Sequence, residues 1–443
     1  MGAQVQPQGQ AGTTPADLGR MISNLHNADI PRPVLDVIAR LRELNHAVYL
    51  VGGCVRDMVR QVPPKDFDVA TSALPEEVQR AFRKVIPTGI QHGTVTVVQG
   101  GTHVEVTTFR SEGDYLDGRR PSSVAFERDI VKDLSRRDFT INAMAYNPLD
   151  RDLVDPFGGQ TDLQAQLIKC VGSAFERFSE DGLRPMRAVR FAAVLGFSLD
   201  SATRDAIPAT LGVFRKVALE RVREELVKLL LSPRAEGGLV LLVETGLLDV
   251  FLPEVARAAP EEARLARAAV QAAPAEVEVR MAALLADLVD RNQARDIGLR
   301  LKFPNKVADL VALLVETAKL EERFSDPDPA LRRLLARVGL AQLPALLTVA
   351  RARIQARAPE RSAELERLCA RLEALAAAKP PLVAKDLALT GGDIMSTLGV
   401  GPSPIVGEAT RFLMDSVLDD PALNTREALA RRLKDWHAAR PKA

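Results

Sequence analysis

The chain has 443 residues, 47% hydrophobic and 26% charged, with a formal charge of +1 from 59 basic and 58 acidic side chains. That length calls for more than one domain, and the composition is that of an ordinary globular protein. The charge balance does not announce a nucleic-acid binder, although a local basic face remains compatible with it. No stretch is long and apolar enough to span a bilayer. Cys54, Cys170 and Cys369 are far apart, odd in number and without metal-ligand spacing, which predicts a reduced, cytoplasmic protein.

Residues 1–26, rich in Gln, Gly and Thr at their start and lacking a signal-peptide core, read as a disordered tail. Val34, Ile38 and Leu41 recur at helical spacing within Pro31–Leu44. The apolar run Ala47–Val51 then reads as a strand ending at Gly52 and Gly53, with a helix-compatible segment after it. Glycines let a backbone approach a phosphate. Asp66 and Asp68 follow at a spacing of two, so a strand through Phe67–Val69 would put both carboxylates on one face, where they can hold a hard divalent cation such as Mg²⁺. An isolated pair of this kind is more often a solvated turn; the glycine turn close before it raises the odds of phosphate chemistry.

Pro75–Lys84 reads as a helix. Thr94–Val98 and His103–Phe109 read as a hairpin turning at Gly100–Gly101. On the second strand Glu105 shares a face with His103 and Thr107, as a third metal-site carboxylate or as an ordinary solvent-facing Glu in about equal measure. In Leu134–Ala145, the consecutive Arg136, Arg137 and Asp138 form a turn anchored by Phe139, Ile141 and Met144, with an arginine fork suited to phosphate. Beyond about Leu163 strand signals nearly vanish. In Ser179–Phe197, Ser179 or Asp181 could cap a helix with Pro185 near its first turn, and on a helix Arg177, Asp181 and Arg184 would share one face, with Arg187 and Arg190 rotating away toward a phosphate tail. A lone pair of this kind is usually an ion pair on a wet face; an Asp and an Arg together can also read the edge of a nucleobase.

The ordered motifs Leu50–Asp57, Asp66–Asp68, Arg136–Ala143 and Glu180–Arg184 resemble those of class II tRNA nucleotidyltransferases, the CCA-adding enzymes and the related bacterial poly(A) polymerases. The resemblance implies an α+β, polymerase-β-like nucleotidyltransferase head at 27–160, followed by an all-α neck at 161–255, body at 256–378 and tail at 379–443. It makes Asp66 and Asp68 the Mg²⁺ ligands, with Glu105 as the additional acidic strand residue. Gly53 and Arg56 would contact the triphosphate, and Arg137 and Asp138 would hold ribose and phosphate. Asp181 and Arg184 would act as a protein template selecting CTP and then ATP, and Arg187 and Arg190 would complete the nucleotide site. The implied partner is tRNA, gripped along its acceptor and TΨC arm, with Arg426, Arg431, Arg432 and Lys434 as candidate contacts. Ser111–Pro121 stands where the family has the loop needed for terminal A addition. Pro185 stands where it more often has a straight-chain apolar residue, which bears on nucleotide choice and leaves A-only addition as an alternative; poly(A) synthesis and a catalytically dead RNA-binding protein are the others. No His-Asp dipeptide is present, so no phosphohydrolase activity is expected.

Overall fold

The computed structural model describes residues 23–26, 28–112 and 124–440. The chain divides into two compact units, Met1–Phe251 and Leu252–Ala443.

In the first unit, seven strands among the described residues build one mixed sheet in the order β3-β4-β5-β2-β1-β8-β9. These are β1 (Val48–Val51), β2 (Asp68–Thr71), β3 (Val85–Gly89), β4 (Thr94–Gln99), β5 (Thr102–Thr108), β8 (Ala145–Asn147) and β9 (Asp152–Val154). A separate small ribbon pairs β6 (Arg110–Glu112) with β7 (Val124–Phe126). The hairpin predicted at Gly100–Gly101 forms as β4–β5, with φ of 55° and 82° at the two glycines, the left-handed pair that a tight two-residue turn requires. Val104 and Val106 are buried on one face of β5 while His103 and Glu105 are exposed on the other.

Helix α1 (Arg32–Glu43) buries Val34, Val37, Ile38 and Leu41, one stripe at helical spacing. Helix α2 (Gly53–Val59) follows β1 directly, and α3 (Pro75–Ala81) is shorter than predicted, because Phe82 is already extended. Of the segment 1–26 read as a disordered tail, only residues 23–26 are described. Residues 23–26 are helical, Leu25 is buried, and the Asn24 side chain donates to the Val59 carbonyl at 2.9 Å.

Helices dominate after the sheet: α4 (Ile130–Ser135) lies within it, then come α5 (Ala174–Glu180), α6 (Arg184–Leu195), α7 (Ser201–Phe214) and α8 (Leu219–Leu230). The single helix face expected to carry Arg177, Asp181 and Arg184 does not form, because α5 ends at Glu180 and Asp181 is extended (φ −128°, ψ 106°). At Gly182 the chain passes close to α7, where a Cβ would lie 2.8 Å from the Val213 carbonyl. Pro185 sits in the first turn of α6, where its missing N–H is harmless, so it starts the helix and does not bend it.

The second unit is helical throughout its described residues. Its C-terminal part packs Leu387, Leu389, Ile394, Leu413, Val417, Leu429 and Leu433 into one cluster. Its other feature is a buried charge. Arg353, 1% exposed, forks onto Asp287 at 2.6 and 2.9 Å and onto Glu321 at 3.0 and 3.1 Å. Among the described residues no single helix is long and apolar enough to cross a membrane; one pair, Asp328–Val338 with Leu343–Arg357, passes only jointly and is bent by 110°.

Candidate active site

The register of three strands gathers the acidic residues. Val51 pairs with Asp68 across β1–β2, and Asp68 pairs with Glu105 across the parallel β2–β5 ladder. The Gly52–Gly53 turn therefore sits beside Asp68 at the start of β2, with Glu105, midway along β5, next to it. Asp66 is not in the strand as expected. The strand begins only at Asp68, and on the β1 side the neighbouring chain turns into α2 just beyond Val51.

All three carboxylates line one cleft of about 740 Å³. Partial loss of hydration raises the Asp68 carboxyl above its ordinary range, with Arg137 opposing and Asp66 adding to the effect. Glu105 is raised for the same first reason, then by the charges of Asp68 and Asp66. Asp68 and Glu105, which resist ionising, stand with Asp66 as three sets of oxygen donors, a combination that suits a hard divalent cation. Among the described residues no three His, Cys, Asp or Glu converge as a ready-made metal cage. The pair thus fits an ion that keeps much of its shell for water and phosphate oxygens, as Mg²⁺ does.

The residues assigned in the sequence to the nucleotide site, Gly53, Arg56, Arg137, Asp138, Asp181, Arg184, Arg187 and Arg190, line the same cleft. The lining holds nine basic and five acidic side chains, a local excess that the near-neutral whole chain conceals. The turn Arg136–Asp138 is not simply solvated. Arg136 donates to the buried Asp133 at 2.8 and 3.0 Å, and Arg137 donates to it at 3.0 Å. Phe139, Ile141 and Met144 are fully buried and anchor the segment as expected.

A chain of contacts then crosses the floor of the cleft. Arg56 forks onto Asp57 at 2.9 and 3.0 Å and donates to Asn142 at 2.7 Å. Asn142 donates to Asp138 at 3.3 Å, and Arg187 forks onto Asp138 Oδ2 at 2.5 and 2.9 Å. Burial opposes ionisation of Asp138, but the Arg187 guanidinium prevails and holds the carboxyl at about 2.

Asp181 and Arg184 do not pair with each other, and neither lies on a wet helix face. Arg184 is 8% exposed, bonded to Glu180 at 2.5 Å and donating to the carbonyls of Arg177 at 3.0 Å and Arg136 at 2.9 Å. Asp181 accepts the Leu183 N–H at 3.0 Å and both arms of Arg221 at 2.9 and 3.2 Å. Arg190 donates to the buried Glu225 at 2.7 Å, as Lys228 does at 3.3 Å. Sequence reading missed Arg110, Asn142, Arg221 and Lys228 in the lining. Asn142 lay inside a motif already noticed. Arg221 and Lys228 lie on the amphipathic α8, seven apart and so on one side of the helix, a spacing that could have marked them.

Gly52 holds φ +74°, and a Cβ there would lie 3.0 Å from Arg137 Nη1. Gly52→Ala is expected to cost about 1–3 kcal/mol of stability through backbone strain and the displaced arginine. A thermal unfolding midpoint equal to that of the wild type would contradict this.

Three family models match the chain: "Poly A polymerase head domain" over residues 48–169, "Probable RNA and SrmB- binding site of polymerase A" over 196–259, and the tRNA nucleotidyltransferase domain 2 model over 275–433. The CCA-adding enzyme of Bacillus cytotoxicus is 37% identical over 396 residues, covering 89% of this chain and 95% of that one. That of Geobacillus thermodenitrificans is 39% identical over 398 residues, covering 89% and 94%. The crystal structure of the Bacillus stearothermophilus CCA-adding enzyme in complex with CTP is similar at a TM-score of 0.75 and 32% identity, covering 92% of this chain and 98% of that one. An α+β head with a helical remainder, a cleft of paired carboxylates and arginines, and relatives aligned nearly end to end lead to one assignment: the chain belongs to the CCA-adding enzyme family of nucleotidyltransferases.

Proposed function

We propose that this protein completes the 3′ end of tRNA by adding C, C and A from CTP and ATP, without a nucleic-acid template. The observation that carries the reading is the cleft itself, where Asp66, Asp68 and Glu105 face a bank of arginines within about 740 Å³. The names of the relatives and the CTP complex of the B. stearothermophilus enzyme support the choice of substrate.

Asp66 and Asp68, with Glu105 beside them, would hold Mg²⁺, which when bound would supply Lewis-acid stabilisation and lower the pKa of the attacking 3′-hydroxyl. Gly53 leaves room for the triphosphate, and Arg56, Arg137, Arg187 and Arg190 neutralise its charge as the phosphoryl group transfers. Asp138 orients Arg187 and accepts from ribose. Asp181 Oδ1 accepts from both Leu183 and Arg221, whereas Oδ2 accepts from Arg221 and keeps an acceptor site with which to meet a base edge beside Arg184. The protein contributes geometry and charge, with no covalent intermediate. The helical units after the head hold the acceptor and TΨC arm, Arg431, Arg432 and Lys434 being exposed on the helix Arg426–Ala438. Arg426 is less available, being paired with Asp393. Of the loop read as a determinant of A addition, Ser111 and Glu112 belong to β6; residues 113–121 lie outside the described residues. Three free, buried cysteines accord with a reducing cytoplasm.

The test supplies CTP and ATP separately to tRNA ending before CCA, after C and after CC. CTP alone should extend the first two substrates to CC, and ATP alone only the third. Incorporation of A alone, whatever C is offered, would instead identify an A-adding enzyme. A second test concerns base choice. Arg184→Ala should retain metal-dependent transfer while preference for CTP over UTP falls roughly 10- to 100-fold, the worth of one lost bidentate contact. Unchanged preference would mean that the base is read elsewhere.

A further inference from the structure

Among the residues lining the cleft, one aromatic ring stands with no role in the reaction so far described. Phe191 lies on α6 and is 7% exposed. Three guanidinium carbons surround its centroid: Arg190 at 3.5 Å, and Arg56 and Arg187 at 5.5 Å each. They come from α2 and α6, elements far apart in the chain. Edge-to-face against the ring stands Phe139, fully buried, with centroids 5.7 Å apart and planes at 79°. Phe139 directly follows Asp138, the partner of Arg187.

Three like charges so close repel one another unless something orders them. Asp57, Asp138 and Glu225 each neutralise one arginine, and Asn142 links Arg56 to the Asp138 that holds Arg187, but none of these polar groups touches all three arginines. The common neighbour is the ring, whose electron-rich faces attract cations within about 6 Å of the centroid. The Phe139 edge fixes the ring's own orientation. We propose that Phe191 is a positioning residue that sets the spacing of Arg56, Arg187 and Arg190, so that the cleft offers the triphosphate a preformed fan of guanidinium groups. The ring has no hydrogen-bonding group with which to read a base, so it acts on phosphate affinity and not on base identity.

This inference rests on the nucleotidyl-transfer reading of the cleft. The experiment compares CTP with cytidine, which lacks phosphate, in calorimetric titrations of the full-length protein with Mg²⁺. Phe191→Leu, which fills most of the ring's volume without its faces, should bind CTP about tenfold more weakly while cytidine affinity changes less than about twofold. Phe191→Tyr should hold CTP close to wild type, because the faces are restored. If the Leu protein does not fold, Phe191→Met carries the same comparison with a more adaptable side chain. Loss of CTP and cytidine affinity in equal measure would reduce the ring to a packing element. CTP affinity unchanged by Leu, or a Tyr variant no better than Leu, would also overturn the proposal. Failure of the wild type itself to bind CTP would strike the function proposed for the cleft, which keeps the two failures distinct.

Discussion

Replacing Asp66 and Asp68 together with Asn is expected to reduce nucleotide incorporation by roughly a thousandfold or more while leaving the fold intact. Removing the two carboxylates removes the donors for a hard cation, whose stabilisation of developing charge is worth several kcal/mol. The same change should not destabilise the protein. Asp68 and Glu105 are raised above their ordinary range by lost hydration and by neighbouring negative charge, so their ionised forms oppose folding at neutral pH. Asn at both positions relieves that repulsion, and the unfolding midpoint should hold or rise. Incorporation at the wild-type rate would sink the catalytic assignment. A drop in midpoint would show that the pair serves the fold instead.

Asp138→Asn should act on stability and activity together. The side chain is 9% exposed and carries the fork of Arg187. Asn keeps the shape but leaves that guanidinium without its counter-charge, at a cost of about 3 kcal/mol. The pH dependence gives the sign. The folded carboxyl titrates at about 2, below its ordinary 3.8. Its contribution, about 2 kcal/mol, is therefore complete above the ordinary value and lost as pH falls toward the folded one. Urea unfolding should show a constant gap between wild type and variant from about pH 7 to 5, narrowing below about pH 4. A gap that widened on acidification would contradict the ion pair. Because Arg187 also lines the cleft, triphosphate affinity should fall in the same variant at pH 7.

Much of the head could be read along the chain because its signals are local. Alternating valines marked β4 and β5, paired glycines marked the hairpin, and the apolar run before Gly52 marked β1. The same locality carried the cleft residues, since each lies within a short motif. What could not be read is how those residues satisfy one another. Arg56 meets Asn142, Arg187 meets Asp138 and Arg221 meets Asp181, contacts between segments that only the folded chain brings together. Asp133, buried beneath two arginines, has no sequence signature beyond helical spacing. The end of α5 before Asp181 was missed as well. The close approach of the Val213 carbonyl to Gly182, which excludes a side chain there, belongs to packing against α7 and leaves no mark on local periodicity. Short strands such as β8 and β9 were missed because three residues carry too little alternation to register.

The pairing of Asp181 with Arg221, and of Arg184 with Glu180, gives base selection a physical setting. Under the proposed role, these contacts hold both side chains in place before a nucleotide arrives, which limits the freedom lost when it binds. A protein surface so fixed can serve two different bases only by small shifts of its remaining donors and acceptors. It should also cease to accept a base once the growing end no longer fits.

The most direct test of that account offers all four nucleoside triphosphates together to tRNA lacking its 3′-terminal CCA, and sequences the 3′ ends formed at long incubation. The account predicts ends that read CCA, with neither U nor G and nothing added beyond the terminal A. Long runs of A, a single A without preceding C, or indiscriminate incorporation would contradict it.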